Sequence, residues 1–323
     1  MLKKYFLQIT VFLMLISLLI IAFFLRNDNN EFTKTEFLLN TFVTVSVYDK
    51  NGAEYAQKAM EICRSYNNML DVNNTESLIY KLNNANGAPV IMPDEIIALI
   101  KTAVHYSEVS GGLFDITIEP VSTLYDFNAK THPSEEQINA ALTAVGYENI
   151  VISGNTISLK NGAQITLGAI AKGFITDKIG IYLQELKVNA LINLGGNVMC
   201  IGKNPNGNRW NVGIQKPFSE SGDIIKTVMV TNQSVVTSGV YERYFYENGD
   251  LYHHILNPCS GKPINNGLYS VTIICENSTK ADALSTACFA AGLEKGMEIA
   301  QTEGVSAIFI TNKNEIIEFN GYS

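Results

Sequence analysis

One segment near the C-terminus combines a carboxylate and a hydroxyl at helical spacing. In NSTKADALST, residues 277–286, Asp282 and Thr286 are four residues apart, so a helix places both side chains on one face. Their oxygen atoms suit a hard divalent cation such as Mg²⁺, which proteins bind through few ligands together with substrate phosphates. The spacing therefore predicts a metal site in an enzyme that uses a nucleotide.

The same residues also allow two purely structural interpretations. Thr279 and Asp282 have the spacing of a capping box, in which side chains bond the free amides at a helix start. The Thr286 hydroxyl can instead bond back to the carbonyl of residue 282 within the helix. Other segments must decide between these interpretations and metal binding.

Two glycine-containing segments are candidates for approaching an anionic ligand. The segment LGAIAKG, residues 167–173, joins a predicted strand to a predicted helix, so backbone amides and Lys172 could face a phosphate. It lacks the spacing of a Walker loop, and close helix packing beside a solvated lysine is the alternative. Gly195 and Gly196 mark either a turn or a close approach of the backbone to a ligand.

Two of the four histidines are adjacent. His253 and His254 precede a turn at residues 258–261, and neighbouring side chains on a strand point to opposite sides, so the pair is unsuited to binding one metal. One of them can face a cleft. Asp115 has two interpretations, as a site residue or as a polar residue on an amphipathic strand.

Composition and charge define the class of protein. With 323 residues, 46% of them hydrophobic, the chain can bury one large core or two coupled lobes. The first 30 residues hold three basic residues and one acidic residue, so the remainder has 20 basic and 30 acidic residues and a net charge of −10. Nucleic acid is therefore not an expected partner. Five cysteines without CxxC spacing disfavour a zinc site and a dense disulfide framework, while a single disulfide stays open.

An apolar run at residues 5–25 predicts a transmembrane signal anchor. The run, YFLQITVFLMLISLLIIAFFL, has about the length needed to cross a bilayer as a helix, and two lysines precede it. No small-residue cleavage site closes it, and the first cysteine is Cys63, so neither cleavage nor lipidation is expected. The positive-inside rule places residues 1–4 in the cytoplasm and the body outside it, at the cell membrane. A buried core helix is the alternative.

The rest of the chain predicts a single α+β domain of mixed, mainly antiparallel sheets with packed helices. Residues 26–36 are polar and predict a tether, so the folded domain is expected at residues 37–323. Strands are expected at residues 41–47, 114–118, 148–152, 155–159, 164–167, 190–194, 209–214, 224–230, 234–237, 242–247 and 268–274, and in a closing C-terminal pair. Helices are expected at residues 53–70, 93–109, 138–145 and 168–186 and around residue 282, followed by one more.

Six segments carry a family pattern when they are taken in order. They are GGLFDITIEPV, ITLGAIAKGF, ALINLGGN, VVTSGVYERYF, YHHILNPCSGKPI and TKADALSTACFAAG. In this order the chain resembles the FAD:protein FMN transferases, the ApbE family, from about Phe37 to the C-terminus. The resemblance implies an ApbE-like fold and an enzyme that binds FAD with Mg²⁺, transfers FMN to a Ser or Thr hydroxyl of a partner protein and releases AMP.

The resemblance also implies roles for individual residues. Asp282 and Thr286 match the metal ligands, Ala169 matches the position whose backbone carbonyl or hydroxyl completes the metal site, and Ser285 lies beside them. Asp282 and His254 are the expected catalytic residues. The matched positions that line the FAD site are Leu39, Thr41, Leu113, Phe114, Asp115, Thr166, Lys172 and His254.

Three positions depart from the family pattern. Leu39-Asn40-Thr41 stands where Met-Gly-Thr is usual near the flavin, Asn257 replaces a frequent Asp, and Thr166 replaces a frequent acidic residue. The metal pair and Lys172 are retained. The departures therefore bear on flavin contacts and affinity more than on the class of reaction.

In the implied reaction, the acceptor hydroxyl attacks the FMN-side phosphorus and AMP leaves. Mg²⁺ held by Asp282, Thr286 and the Ala169 carbonyl would neutralise the pyrophosphate, in a transfer that depends on positioning and charge stabilisation. His254 either orients or deprotonates the hydroxyl, or it fixes the flavin.

Other functions stay open beside protein flavinylation. One is hydrolysis of FAD to FMN and AMP, and another is a membrane-tethered flavin-binding protein without turnover. A third is an electron carrier that is itself flavinylated, but the chain has no acidic residue followed by Ser/Thr-Gly-Ala-Thr, the acceptor signature of the family. The expected acceptor is therefore another, extracytoplasmic protein.

Overall fold

The computed structural model describes residues 31–219 and 222–319 of the chain. The predicted cytoplasmic N-terminus at residues 1–4 and the predicted anchor at residues 5–25 lie outside these ranges. Among the helices that are described, none combines the length and the apolar character needed to cross a bilayer. The anchor therefore stays a prediction.

Helices and strands follow one another in the pattern of an α+β protein, as predicted. The described strands are β1 (Glu31–Leu38), β2 (Thr41–Tyr48), β3 (Val90–Ile91), β4 (Ile150–Ser153), β5 (Thr156–Leu159), β6 (Asn189–Leu194), β7 (Asn197–Ile201), β8 (Trp210–Gln215), β9 (Ile224–Val230), β10 (Gln233–Gly239), β11 (Tyr244–Glu247), β12 (Asp250–His253), β13 (Leu268–Cys275), β14 (Ser306–Thr311) and β15 (Ile316–Phe319). The described α-helices are α1 (Gly52–Leu70), α2 (Leu78–Asn83), α3 (Asp94–Val109), α4 (Glu119–Ser122), α5 (Glu135–Leu142), α6 (Ala171–Glu185), α7 (Ser278–Ala291) and α8 (Leu293–Thr302).

An eight-stranded antiparallel sheet forms the centre of the domain. Its strand order is β1-β2-β6-β7-β10-β13-β14-β15. In β2 the side chains of Val43, Val45 and Val47 are all fully buried on one face, as the two-residue period of a strand requires. A small sheet, β3-β5-β4, and the hairpins β8-β9 and β11-β12 complete the sheets of the described ranges.

Helices cover one face of the central sheet, and a hairpin covers the other. α1 packs against β1 and β2, α6 against β6 and β7, and α7 against β10 and β13. On the opposite face, Trp210, Val212 and Val230 of the β8-β9 hairpin pack against Cys200 and Val235 in a separate apolar cluster. The central strands are therefore held from both sides, which makes them a rigid support for side chains that point toward α6 and α7.

The prediction of a tether at residues 26–36 is wrong for the second half of that segment. Residues 31–36 belong to β1, which pairs with β2 along its whole length. Polar residues suit this position because β1 is an edge strand, and the Thr33 hydroxyl bonds that of Ser46 across the pair at 2.7 Å. The folded domain therefore already includes residue 31, and only residues 26–30 separate it from the predicted anchor.

Two segments that the sequence predicts as strands have another structure. Residues 114–118 and 164–167 form turns and extended chain that are joined by one isolated bridge, Ile118–Gln164. The alternation that suggests a strand reflects the burial of Phe114 and Ile116 in the core, not pairing within a sheet. The alternating pattern therefore identified the buried residues correctly, but it predicted the wrong type of secondary structure.

The predicted helix at residues 138–145 begins and ends three residues earlier, as α5. A capping box starts it, in which the Ser134 hydroxyl accepts from the Gln137 N–H at 3.2 Å and the Gln137 side chain accepts from the Ser134 N–H at 2.8 Å. The reciprocal bonds fix the helix start at Glu135.

All five cysteines are free thiols, so none of them forms the single disulfide that the sequence left open. Cys63, Cys200, Cys275 and Cys288 are buried, and only Cys259 is exposed. Burial raises the pKa of the Cys63, Cys200 and Cys288 thiols to about 12, which makes them unreactive.

One glycine determines how closely α6 and α7 approach each other. A Cβ atom at Gly173 would lie 2.7 Å from the Cβ of Asp282 and would overlap the carbonyl oxygen of Ser278. Real Cβ atoms do not come this close to backbone, so only glycine allows the observed contact.

We expect Gly173→Ala to lower the free energy of unfolding by about 2 kcal/mol or more, because the added methyl group would push the two helices apart. Gly168→Ala is the control, since a Cβ there would lie 3.8 Å from its nearest neighbour, the Thr166 hydroxyl. Urea denaturation measures both variants. Equal stability of the two would contradict the close contact.

Candidate functional site

Asp282 lies in the contact between α6 and α7. Its side chain is on the second turn of α7 and is 3% exposed. Its Oδ2 accepts a hydrogen bond from the Gly173 N–H at the start of α6, at 2.8 Å. This bond offsets part of the cost of burying a carboxylate. Asp282 thus joins the two helix starts that the sequence indicated separately.

The capping-box interpretation of Thr279 and Asp282 is wrong. The N-cap residue of α7 is Asn277, whose side chain accepts a hydrogen bond from the Lys280 N–H at 2.7 Å. The Thr279 hydroxyl donates to Asp177 on α6 at 2.6 Å. Asp282 therefore takes no part in starting its own helix.

The Ala169 carbonyl has no hydrogen-bond donor within the described ranges. The Gly173 N–H is one of the first amides of α6, which no carbonyl of the helix itself can satisfy, and Asp282 caps it. The first helical bond runs from the Phe174 N–H to the Ile170 carbonyl at 3.1 Å. The Ala169 carbonyl thus precedes the helix and has no intrahelical donor.

Three hydroxyl groups form a chain whose direction is fixed. Ser285 Oγ donates to the Asp282 carbonyl at 2.8 Å, which uses its single hydrogen. Ser238 on β10 lies 2.8 Å from Ser285 and must donate to it, so Thr286, 2.9 Å from Ser238, must donate to Ser238. The oxygen lone pairs of Thr286 stay available to a cation. The back-bond considered for Thr286 is made by Ser285.

A buried amide near Asp282 is incompletely satisfied. Asn197 is fully buried and close enough to Asp282 to lower the pKa of that carboxyl, but neither its amide oxygen nor its amide nitrogen reaches hydrogen-bonding geometry with a described residue. Such a group is costly unless a ligand, an ion or water satisfies it. The carboxylate of Asp282, the hydroxyl of Thr286 and the carbonyl of Ala169 are oxygen groups of the kind that Mg²⁺ binds, in sites that use few protein ligands.

The charges of two carboxylates act on Lys172. Burial raises the pKa of Asp282, and Lys172, the Gly173 N–H and Asn197 offset only part of that rise. Burial alone would lower the pKa of Lys172, but the charges of Glu242 and Asp282 outweigh it and raise the pKa. Desolvation of its carboxylate, and then Asp282, raise the pKa of Glu242 against the opposing effect of Lys172, although Glu242 as a whole residue is exposed. One cation thus faces two carboxylates, which leaves room for a further positive charge.

Four residues around the site were missed by the sequence analysis. Ser238 and Glu242 lie within VVTSGVYERYF and Asn197 lies within ALINLGGN, so the family segments contained these residues without singling them out. Asp177 lies outside all six segments, and its only signal is an acidic residue within a predicted helix.

His253 is a core residue. Its Nε2 lies 2.9 Å from the Ile264 carbonyl, and its Nδ1 accepts a hydrogen bond from the Ile255 N–H at 3.3 Å. These partners fix a neutral ring with its hydrogen on Nε2. Burial lowers the pKa of His253 to about 4, although the bond to Ile264 opposes this.

His254 has surroundings different from those of His253. Its Nδ1 is buried and has no hydrogen-bond partner among the described residues. Burial, then His253 and the positive charges of Lys172 and Arg243, lower the pKa of His254 to about 3. The imidazole is therefore neutral at neutral pH, and it lies close enough to Lys172 to be a candidate for the site. His253 is the last residue of β12 and His254 follows the strand, so the two rings lie in different environments.

Leu39 and Thr41 lie at a sheet end beside the two adjacent glycines. Leu39 and Asn40 have φ values of 55° and 56° and form the two-residue turn between β1 and β2. Gly195 begins the turn from β6 to β7, and a Cβ there would lie 2.6 Å from Thr41 Cγ2. The glycine pair is therefore a hairpin turn, and Asn197 follows it directly.

Leu113, Phe114, Asp115 and Thr166 belong to connections near the start of α6. Asp115 is buried, and its two oxygens accept hydrogen bonds from two backbone N–H groups at 2.8 and 2.9 Å. Phe114 is buried in the core, whereas Leu113 and Thr166 are half-buried. Asp115 and Phe114 thus have clear structural roles, and contacts of these four residues with FAD stay predictions.

Comparison with known proteins identifies the family. A family model described as the ApbE family matches residues 39–309. The chain belongs to the ApbE family. This result confirms the resemblance seen in the sequence, and it covers both halves of the site, from the β1-β2 turn to α7.

Individual relatives support the assignment of this chain to the ApbE family. A protein of Klebsiella pneumoniae (strain 342) named FAD:protein FMN transferase is 35% identical over 299 residues, which cover 90% of this chain and 92% of that protein. A protein of Treponema pallidum (strain Nichols) with the same name is 34% identical over 305 residues, 87% of this chain and 84% of that protein. Both names describe an enzyme, which confirms that prediction for this chain.

Solved structures share the ApbE fold. The crystal structure of an ApbE protein from Thermotoga maritima matches with a TM-score of 0.83 at 31% identity, covering 89% of this chain and 96% of that one. The apo form of the flavinyl transferase ApbE from Pseudomonas stutzeri matches with a TM-score of 0.79 at 28% identity, covering 90% and 95%. The predicted ApbE-like architecture is thereby confirmed.

We expect His253 to make the stability of this ApbE-family protein depend on pH. Between about pH 7 and about pH 5 the unfolded imidazole, with a pKa of 6.5, takes up a proton, whereas the folded one, with a pKa of about 4, does not. Stability therefore falls by about 2 kcal/mol over this range and stops falling once the pH passes the folded pKa.

Denaturant titrations of wild type and His253→Gln measure this effect. Gln can still donate to the Ile264 carbonyl, so the variant should keep its fold but lose this part of the pH dependence. An identical pH dependence in both proteins would contradict the assignment to His253.

Proposed function

We propose that this protein transfers the FMN part of FAD to a Ser or Thr hydroxyl of another protein, with Mg²⁺ as cofactor and AMP as leaving group. The contact of α6 and α7 supports the proposal, because the Asp282 carboxylate bonds the start of α6 shortly after Ala169, Thr286 follows Asp282 by one turn of α7, and Asp282 acts electrostatically on Lys172. The names of the relatives supply the class of reaction.

The residues that would hold Mg²⁺ are Asp282, Thr286 and Ala169, the last through its carbonyl oxygen. Ser285 was predicted beside these ligands, but its hydroxyl is engaged with the Asp282 carbonyl and with Ser238. Its role is therefore to orient Thr286 through the hydroxyl chain. When bound, Mg²⁺ supplies positive charge to the phosphates of the dinucleotide.

Lys172 adds a second, fixed positive charge to the site. Burial opposes its charged form, but Glu242 and Asp282 raise its pKa, so it stays protonated at neutral pH. An ammonium group at this place stabilises the negative charge that develops as the bond between phosphorus and the AMP oxygen breaks. Phosphoryl transfer needs no covalent enzyme intermediate, and none of the buried thiols is suited to form one.

We assign to His254 the proton of the acceptor hydroxyl. The hydroxyl oxygen forms a bond to the FMN phosphorus, and AMP leaves with the electron pair of the broken bond. The neutral, unpartnered Nδ1 of His254 accepts the released proton. Negative phosphates in the site would offset Lys172 and Arg243, whose charges, after burial and His253, hold the pKa of His254 down.

The remaining positions assigned to FAD are proposed to line its binding site. They lie on the β1-β2 turn and on the connections at residues 113–115 and 166, and they are Leu39, Thr41, Leu113, Phe114, Asp115 and Thr166. Leu39 lies in the tight turn and Thr41 directly follows it, and we assign flavin contact to these two side chains.

The acceptor is proposed to be an extracytoplasmic protein at the cell membrane. An uncleaved single-pass anchor at residues 5–25 would hold the domain outside the cytoplasm, as the flanking lysines predict. The folded domain already includes residue 31, so the link to that anchor would be short. Acceptors that are held at the same membrane fit this arrangement best.

Incubation of the full-length protein in detergent with FAD, Mg²⁺ and exported proteins that carry the acceptor signature tests the proposal. We expect the mass of FMN on a Ser or Thr of the acceptor, together with free AMP. Free FMN and AMP without modified protein would show the alternative, an FAD pyrophosphatase. Bound FAD without release of AMP would show a flavin-binding protein.

We expect Asp282→Asn to slow FMN transfer by about 100-fold or more, because the metal site loses its carboxylate. The Asn oxygen can still accept the hydrogen bond of the Gly173 N–H, so the melting temperature should stay close to that of wild type. The transfer assay, run over a range of Mg²⁺ concentrations, measures the effect. Undiminished Mg²⁺-dependent transfer by the folded variant would refute the metal assignment.

We expect His254→Gln to slow single-turnover transfer by about 100-fold, the usual contribution of a general base. His253→Gln is the matched control, because this neighbour faces the core and should keep the wild-type rate. Rapid quench with detection of AMP measures both variants. A normal rate for His254→Gln would remove His254 from the catalytic step.

A further inference from the structure

The two helices that carry the site are bonded to each other in both directions. Asp282 of α7 accepts from Gly173 at the start of α6, and Asp177 of α6 accepts from the first turn of α7. The Asp177 Oδ1 lies 2.8 Å from the Ser278 nitrogen, and its Oδ2 lies 2.8 Å from the nitrogen and 2.6 Å from the hydroxyl of Thr279. Each helix thus offers a carboxylate to the start of the other.

α7 does not need Asp177 in order to begin. Asn277 already caps the helix through the Lys280 N–H, and the Ala281 N–H makes the first helical bond, to the Asn277 carbonyl, at 3.0 Å. Asp177 takes the two N–H groups that remain free at the first turn. Its three hydrogen bonds therefore fix α7 against α6 rather than form α7.

This fixed position matters because the site draws oxygen atoms from both helices. The Ala169 carbonyl belongs to the start of α6, whereas Asp282 and Thr286 belong to α7. A shift of α7 by one residue would move its side chains by about 1.5 Å along the axis and turn them by about 100°. Mg²⁺ needs oxygen ligands close to about 2.1 Å in near-octahedral geometry, so it would not tolerate such a shift.

We propose that Asp177 is a positioning residue of the metal centre: by bonding Ser278 and Thr279 it sets α7 at the register in which Asp282 and Thr286 meet the Ala169 carbonyl. The inference rests on the metal assignment in the proposed function. Asp177 bonds none of these three residues directly and acts through the first turn of α7.

Binding of Mn²⁺ to the full-length protein, measured by electron paramagnetic resonance with and without FAD, tests this role. Asp177→Asn should weaken Mn²⁺ binding by about 10-fold or more, as loss of outer-shell support does at other metal sites. The same variant should exchange the Gly173 amide hydrogen faster, because the bond from Gly173 to Asp282 depends on the register of α7.

Two further variants separate positioning from charge and from helix stability. Thr279→Val keeps the carboxylate of Asp177 and removes one of its three bonds, so it should weaken Mn²⁺ binding by a smaller factor, about 3-fold. Asn277→Ala removes the cap of α7 without touching Asp177, so it should lower the melting temperature but leave Mn²⁺ affinity unchanged.

Each contrary result has a defined meaning. Wild-type Mn²⁺ affinity in Asp177→Asn would overturn the proposal. If Asp177→Asn binds Mn²⁺ more weakly but Thr279→Val keeps the wild-type affinity, the effect comes from the charge of Asp177 and the proposal is overturned as well. If Asn277→Ala weakens Mn²⁺ binding as much as Asp177→Asn does, the effect comes from general helix stability, which also overturns the proposal. If Asp177→Asn does not fold, Thr279→Val carries the test. If wild type itself binds no Mn²⁺, the metal assignment of the proposed function falls first.

Discussion

A carboxylate that is buried at a helix contact has to find its hydrogen-bond donor on the neighbouring helix, and this requirement organises the whole site. Asp282 cannot bond the N–H groups of its own helix, because Asn277 and Asp177 already occupy them. It therefore bonds the Gly173 N–H at 2.8 Å. The close approach of the two helices at this bond requires a glycine. One hydrogen bond thus sets both the helix spacing and the position of the carboxylate.

Some of the buried polar groups without partners lie near this contact. The hydroxyl chain from Thr286 through Ser238 to Ser285 ends on a carbonyl, so it is satisfied at one end and open at the other. Asn197, which acts on Asp282, and His254, on which Lys172 acts, each have a buried polar atom without a partner among the described residues. Buried polar atoms are normally satisfied, so these two are candidates for contact with a bound group.

The sequence predicted much of this fold because the apolar periods are local. The strands around Val43 and Ile192 and the helices α1, α3 and α7 follow from alternation or helical spacing within one segment. Burial without sheet pairing misled the prediction at residues 114–118, and polar composition hid the edge strand at residues 31–36. The partner of residues 114–118 lies far away in the sequence, at Gln164, whereas β1 pairs with β2, the next strand.

The same limit applies to the site. Asp282, Thr286 and Lys172 could be selected because their spacing and neighbours lie within short segments that resemble a family. A capping box stayed an alternative for Thr279 because its true partner, Asp177, is 102 residues away. Glu242 and Asn197 have no local signal for a similar reason, since strands distant in sequence bring them to the helix contact. Such contacts are set by the packing of the central sheet and not by any local pattern.

The charge balance of the site favours the cation that we propose beside Lys172. Two carboxylates, Asp282 and Glu242, already oppose its single positive charge. A dinucleotide would add the negative charges of its two phosphates to this excess, and in a partly buried site such charges repel strongly. A divalent cation bound by Asp282 would reverse the balance at the place where the phosphates must lie. Cation and dinucleotide should therefore each strengthen the binding of the other, because linkage between two ligands is reciprocal. The buried carboxylate that costs the fold stability is thus the group that makes the site suited to a phosphate substrate.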